Sequence, residues 1–422
     1  MQKYSGGAMD GLMKAEDRVL AEMHDVYRQK LQTELQAEAD AAQEAFLDAN
    51  TIGKRRYINM VLITTLGKIT LRVMKGRCPT SGEWQVPIRG IWGLSGKQML
   101  SPSLQKKLCA TACETGSFEK ASRLAAQWGT DVSDDAIRSC VQKLGEEALY
   151  SPMLSPCTGS AQADDVLIIM MDGWMARHRG LDWGKRKHTK AQQRVSWHEI
   201  KSAIIYKLKD HVRTKDKRSW LISKHAVAVP AETDPVDFAK RVHDEAKRMG
   251  LGQAKHAYIV MDGGVWLWNI FEERFSLCAT GTLDFYHASE HIHALANVLF
   301  KDDPGQSASW AVKILHSLKH HSPKRLFRTL EQLIDNPPDD AALVSDVKKT
   351  YDYFQNHKDH MDYPDALKAG LPIGSGSIES QCSQFQNRFK RRGQFWSKHG
   401  FAALMEVYVR YQNNEISSLW AA

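Results

Sequence analysis

Two apolar runs that each end in an aspartate limit what this chain can fold into. They are VLIIMMDGW, which reaches Asp172, and AYIVMDGGVW, which reaches Asp262. Short, continuous apolar runs stopped by glycine read as strands buried on both faces, at the centre of a sheet covered by helices. An ionised carboxylate at such a place is costly unless something compensates it, and a divalent cation is the usual compensation. Glu379 adds a third acid in PIGSGSIES, in the first turn of a helical pattern. Hard oxygen donors on two strand ends and one helix are what a two-metal phosphoryl-transfer site needs. The plainer alternative is three unrelated acids, because Asp-Gly is a common turn and a glutamate suits a helix N-terminus.

The order of elements around these runs predicts the architecture. Residues 1–52 read as an acidic N-terminal helix for packing or dimerisation, and 53–97 as a small β element with a hairpin in YINMVLITTLGKITLRV. Residues 98–150 are helical, with Ser117 and Ser133 placed to cap two short helices around Gly129. That spacing suits a DNA-binding helix-turn-helix or an ordinary helical hairpin equally, since the second helix opens on Asp134 and Asp135. After a linker, residues 160–287 give strand, strand, strand, helix, strand: VLIIMMDG, RVSWHEIKSAIIYKL, SWLISKHAVAV, the helix DPVDFAKRVHDEAKRMG and HAYIVMDGG, with a fifth strand in FSLCATGTLDF. This is the order of a ribonuclease-H-like α/β core, in which the first and fourth strands are neighbours. Residues 288–370 read as an α-helical insertion. Residues 371–422 hold the Glu379 helix, capped by Ser375 or Ser377, and a basic C-terminal segment.

Charge points the same way. The chain of 422 residues carries a formal charge of +8, which favours a polyanionic partner. Lys185, Arg186 and Lys187 lie in one basic cluster, and Arg388, Lys390, Arg391 and Arg392 in another, with Trp396 beside them. Cations for phosphates and aromatics for bases are the equipment for holding nucleic acid. Asp284 and His287 have D-x-x-H spacing at a strand-to-helix transition. A hydrogen-bonding role at the helix start suits them better than ligation, since Mg²⁺ prefers oxygen. Other chemistries find no support. Cys78 has no second cysteine at ribbon spacing, the seven cysteines form no disulfide framework, and GSGS lacks the ending of a P-loop. With no apolar run near a membrane span and no secretory pattern, a cytoplasmic, nucleoid-associated location is expected.

At these residues the chain resembles DDE-type transposases of bacterial insertion sequences, especially the ISKra- and ISLre-type groups related to Mutator-like transposases. The motifs that carry the resemblance are MDGW at Asp172, WHEIK at Trp197 to Lys201, MDGGVWLW at Asp262, DFYHASEH around Asp284 and His287, and PIGSGSIES at Glu379. It spans residues 55–420 and implies a ribonuclease-H-like catalytic domain with a helical insertion, preceded by a mainly helical DNA-binding region. It also implies a metal-binding triad of Asp172, Asp262 and Glu379 using two Mg²⁺ ions, with Mn²⁺ as a substitute. The implied partners are double-stranded DNA, as terminal inverted repeats and target, and further copies of the chain assembled on it. The implied reaction is cleavage at element ends and transfer of the freed strand. A structure-specific nuclease of the same fold and a catalytically inactive, transposase-derived DNA-binding protein are the rival expectations. Relatives often carry a cysteine pair where this chain has only Cys78, so no zinc is expected there.

Overall fold

The computed structural model describes residues 6–50, 52–96, 98–151, 153, 155–185, 194–216, 219–336 and 340–420. The chain divides into two compact units, Met1–Ala148 with Glu415–Ala422, and Leu149–Asn414.

In the first unit, helix α1 (Gly6–Ala49) precedes an antiparallel hairpin of β1 (Gly53–Thr64) and β2 (Gly67–Arg77), with β3 (Trp84–Gln85) at the end of β2. Gly67 turns the hairpin at φ +96°, a conformation that side chains with a Cβ rarely adopt. Alternation along β2 sends Ile69, Leu71 and Val73 into a core shared with Met60, Leu62, Ile88 and Ala39. Three glutamines of α1 close the open edge of β2: Gln32, Gln36 and Gln43 accept the backbone N–H groups of Thr70, Arg72 and Met74. An unpaired strand edge is a template for unwanted pairing, and side-chain amides remove it here. Helices α2 (Pro87–Ile91), α3 (Pro102–Thr115), α4 (Phe118–Gln127) and α5 (Asp134–Leu149) follow. Ser117 accepts from Lys120 N–H and Ser133 from Ala136 N–H, so each starts its helix as its side chain allows.

The second unit is built on a five-stranded mixed sheet. Its strands are β4 (Val166–Arg179), β5 (Val195–Lys207), β8 (His225–Ala228), β9 (His256–Met261) and β10 (Thr280–Leu283), in the spatial order β10-β9-β4-β5-β8. Strands β4 and β9 are parallel neighbours, as are β9 and β10, whereas β5 is antiparallel to both β4 and β8. The run Leu167–Met171 and the run Ala257–Met261 are buried throughout, so neither face of these strands is open to solvent. One predicted strand, SWLISKHAVAV, is two: β7 (Ser219–Leu221) pairs with β6 (His211–Arg213) in a separate hairpin, and only His225–Ala228 joins the sheet. The segment FSLCATGTLDF contributes only Thr280–Leu283, and α7 (Val265–Arg274) fills the preceding connection. Between β8 and β9 runs α6 (Pro235–Arg248), with Asp234 accepting from Val236 N–H and Pro235 in its first turn.

Among the described residues, five α-helices then intervene: α8 (Phe285–Leu299), α9 (Pro304–His320), α10 (Lys324–Asp335), α11 (Ala341–Asn356) and α12 (Tyr363–Lys368). The chain returns as α13 (Gly376–Phe389) and α14 (Lys398–Gln412). Ile378, Cys382, Phe385 and Phe389 form the buried stripe of α13, and Trp174 of β4 stacks on Phe385 at 6.0 Å. The excursion is tied at its two ends, since Phe285 N–H donates to the Ile373 carbonyl at 2.8 Å.

Candidate carboxylate site at the sheet end

Register brings three aspartates to one level. The last registered pair of β4 and β9 is Met170 with Val260, so Asp172 and Asp262 each lie two residues further along. The last pair of β9 and β10 is Met261 with Leu283, which places Asp284 level with Asp262. Adjacent strands run about 4.8 Å apart. The carboxyl ends of parallel strands, where the chain opens into loops, are where open α/β sheets bind ligands.

The three carboxylates have different surroundings. Asp172 is half-buried and accepts the Gly173 N–H at 2.6 Å. Burial is the main force raising its carboxyl above the ordinary value. The Gly173 N–H and the Cys382 thiol pull it down, while the charges of Asp262 and Glu379 push it up. Burial and the Asp172 charge raise the Cys382 thiol strongly, so Cys382 serves Asp172 as a neutral donor. Asp262 accepts the Gly264 N–H at 2.8 Å, and its own carbonyl accepts the Trp268 indole N–H at 2.8 Å, which fixes the turn. Asp284 is fully buried and spent on hydrogen bonds. Its Oδ1 caps α8 by accepting from Tyr286 and His287 N–H, and its Oδ2 accepts the Ser375 N–H at 2.8 Å and the Ser375 hydroxyl.

Glu379 is positioned through that last contact. Ser375 precedes α13 but makes no side-chain cap to it. The expected capping role of Ser375 is therefore corrected: its hydroxyl faces Asp284 instead, and also lies 3.0 Å from Glu379 Oε1. His287 completes the group with Nδ1 3.2 Å from Asp284 Oδ2. Burial lowers the His287 pKa, but the Asp284 carboxylate, helped by Asp262 and Glu290, outweighs burial and holds it above the ordinary imidazole value. Asp284, His287 and Glu379 bring potential ligand atoms within 4.8 Å of one another.

Among the described residues, no Lys or Arg pairs with Asp172, Asp262 or Glu379. The expected set of Asp172, Asp262 and Glu379 does not itself bring three ligand atoms within 4.8 Å of one another, whereas Asp284, His287 and Glu379 do. Carboxylates with no Lys or Arg partner are hard oxygen donors of the kind that Mg²⁺ or Mn²⁺ takes. Tyr353, from α11 of the helical excursion, closes over this end of the sheet. Its ring lies so near Gly263 that a Cβ there would come within 2.3 Å, and its buried hydroxyl has no hydrogen-bond partner among the described residues. Burial first, then Asp262, Asp284 and Glu290, push the phenol well up. Nothing local in the sequence marks Tyr353, because its neighbours come from distant segments.

A cavity of about 700 Å³ opens beside Glu379, lined by Trp220, Lys224, Tyr286, His287 and Gln384 among others. Trp220 and Tyr286 are exposed aromatics on its wall. Sequence reasoning missed Trp220, whose segment SWL reads only as strand.

The basic clusters are distributed unevenly. Lys185 pairs with Asp182, whereas Arg186 and Lys187 lie outside the described residues. Arg388 is buried, with its guanidinium over the rings of Phe389 and Trp396, a packing position rather than an exposed one. Arg391 and Arg392 are exposed, and Lys390 lies over the ring of the exposed Trp197 at 5.2 Å. Trp396 is half-buried, its indole N–H bound to the Phe389 carbonyl.

The fold and site thus define a mixed α/β protein with a cation-poor carboxylate cluster at the end of a five-stranded sheet. Residues 10–417 match the model of the Uncharacterised protein family (UPF0236), and the chain belongs to that family. No curated protein matches it. Among solved structures it is similar to the Drosophila P element transposase strand transfer complex, at 12% identity and TM-score 0.27, covering 75% of this chain and 79% of that one. It is also similar to NurA with manganese, at 12% identity and TM-score 0.11, covering 66% of this chain and 61% of that one. No helix among the described residues is long and apolar enough to cross a membrane.

Proposed function

We propose that the protein is a divalent-metal-dependent DNA transposase of the DDE type, with a ribonuclease-H-like catalytic core. The observation that carries this reading is the level row of Asp172, Asp262 and Asp284 at the ends of β4, β9 and β10, with Glu379 electrostatically coupled to Asp172 and no cation paired to the triad among the described residues. The strand order and directions of the sheet support the core assignment, since the antiparallel second strand separates the first from the third and the fourth sits beside the first.

In this reading Asp172 and Asp262 hold the metal ions and Glu379 completes the second position. Two Mg²⁺ ions, when bound, supply activation of the attacking oxygen and stabilisation of the leaving oxygen in phosphodiester cleavage and strand transfer. Asp284 acts through Ser375, which it holds against Glu379, and His287 braces Asp284. Trp220 and Tyr286 offer faces on which unpaired bases at a cut end can stack, and Lys185, Lys390, Arg391 and Arg392 hold the backbone. Arg186 and Lys187 belong to the same role by sequence. The exposed apolar residues of α1, among them Leu20, Met23 and Tyr27, support self-association of the chain on DNA.

The test is cleavage of a supercoiled plasmid carrying the element's own ends, with Mg²⁺, by wild type and Glu379→Gln. Cutting at the ends by wild type alone supports the triad. Cutting without joining turns the reading to a nuclease, and binding without cutting by either protein turns it to a non-catalytic DNA-binding protein.

A further inference from the structure

A second cluster of ligating side chains lies further along β4. His178 of β4, His198 of β5 and Glu232, in the segment between β8 and α6, bring one potential ligand atom each to within 4.8 Å of one another. Ser196 is the direct partner of His178 across the β4–β5 pair, and His198 is the partner of Ala176. Both histidines therefore face the same side of the sheet as diagonal neighbours.

His178 is fully buried, yet neither of its ring nitrogens has a hydrogen-bond partner among the described residues. Buried polar atoms are nearly always hydrogen-bonded, so two unsatisfied on one ring call for an absent partner. The ring is held in place from two sides, by His198 stacked at 4.8 Å and by Phe401 of α14, also at 4.8 Å. His198 Nε2 lies 2.8 Å from the Ser196 hydroxyl, which orients that ring and leaves its other nitrogen available. A partner of this kind on one nitrogen is the usual companion of ligation through the other. Glu232 pairs with Lys398 at 3.0 Å, and both side chains are substantially exposed, so one cation there can be exchanged for another.

We propose that His178, His198 and Glu232 form a second metal site, separate from the carboxylate row, for Zn²⁺ or another first-row transition ion. Two imidazoles and one carboxylate select such an ion over Mg²⁺, which takes oxygen donors. Three protein ligands leave one position of a tetrahedral ion to solvent. The ion ties β4, β5 and the Glu232 segment together. The chain around Trp396 already joins this end of β4, through Trp396 N–H to the Arg177 carbonyl and Arg179 N–H to the Trp396 carbonyl. The site thereby stiffens this end of β4 and β5 and the seat of the 388–392 segment. It stands whether or not the protein cuts DNA.

The test uses tag-free, full-length protein stripped with a chelator and then kept in excess Mg²⁺ to saturate oxygen-donor sites. Zn²⁺ is titrated against a chromophoric chelator, and Co²⁺ is added as a spectroscopic probe. One equivalent of Zn²⁺ should bind, with visible Co²⁺ ligand-field bands and a higher melting temperature. Glu232→Gln and His198→Asn should each weaken binding at least about 10-fold and change the Co²⁺ spectrum. His287→Asn, at the carboxylate row, should leave both unchanged. His178→Ala opens a cavity and can fail to fold, so the two less buried positions carry the test. No Zn²⁺ uptake, or equal affinity in wild type, Glu232→Gln and His198→Asn, overturns the proposal and leaves a stacked histidine pair with a packing role.

Discussion

Ser375 has one hydroxyl proton and two carboxylates facing it, Asp284 and Glu379. Removing the hydroxyl frees Glu379 to rotate while leaving its charge in place. Ser375→Ala should therefore lower the cleavage rate about 10- to 100-fold, as removal of a ligand's supporting partner does, with DNA affinity unchanged. Single-turnover cleavage alongside a binding titration separates the two effects, and a parallel fall in affinity would count against a positioning role. Asp172 gives a stability prediction of opposite character. Its folded pKa is raised by burial and by neighbouring charge, so its ionised form costs stability once the pH exceeds the unfolded carboxyl value. In chelator at neutral pH, Asp172→Asn should melt at a higher temperature than wild type, and adding Mg²⁺ should stabilise wild type only. A lower melting temperature for the variant in chelator would contradict a crowded, uncompensated site.

At the scale of elements, a buried ionic network joins β8, α6 and α14. Glu245 lies 3.0 Å from His225 and pairs with Arg241 and Arg248, and Glu406 pairs with Arg410 and Arg241. Burial works against the Glu245 charge, but His225, Arg241 and Arg248 together lower its pKa to about 2. A depressed carboxyl stabilises the fold above its unfolded value of about 4.3, and this contribution disappears as the pH falls toward its folded value. Glu245→Gln should cost about 3–5 kcal/mol at pH 7, since it removes the carboxylate that faces the buried Arg248 and the half-buried Arg241, and the difference should shrink on acidification from about pH 4.3 downward. Denaturant unfolding of both proteins across that range measures it, and a difference independent of pH would refute the linkage.

The same scale shows what the sequence could reveal. The runs before Asp172 and Asp262, the start of α6 at Asp234 and Pro235, and the stripe of α13 were legible because each depends on local period or capping chemistry. The true partner of Ser375 was not, because Asp284 lies 91 residues away and a cap prediction sees only the following turn. Tyr353, Trp220 and the pairing of the Cys382 thiol with Asp172 escaped for the same reason. The break between Leu221 and His225 was hidden because both halves of that segment have strand composition.

Over the whole molecule, a charge of +8 matters only where it is exposed. Replacing Lys390, Arg391 and Arg392 by alanine should weaken DNA binding for all sequences alike. It should also flatten the slope of log affinity against log salt by roughly 0.9 for each phosphate that the variant no longer neutralises. Arg388→Ala should instead lower stability, because its guanidinium packs on Phe389 and Trp396 inside the protein. An unchanged salt slope in the triple variant would place the DNA elsewhere.

The bond between Phe285 N–H and the Ile373 carbonyl, with Ser375 fastened to Asp284, makes the chain leave and rejoin the sheet at a single knot. Everything strung between is a closed ring, which touches the sheet end again at Tyr353 and at His360. The entropy of closing such a ring grows only with the logarithm of its length, about 0.6 kcal/mol per doubling. Lengthening or trimming an exposed stretch of that ring should therefore cost the fold little, while Glu379 keeps its place.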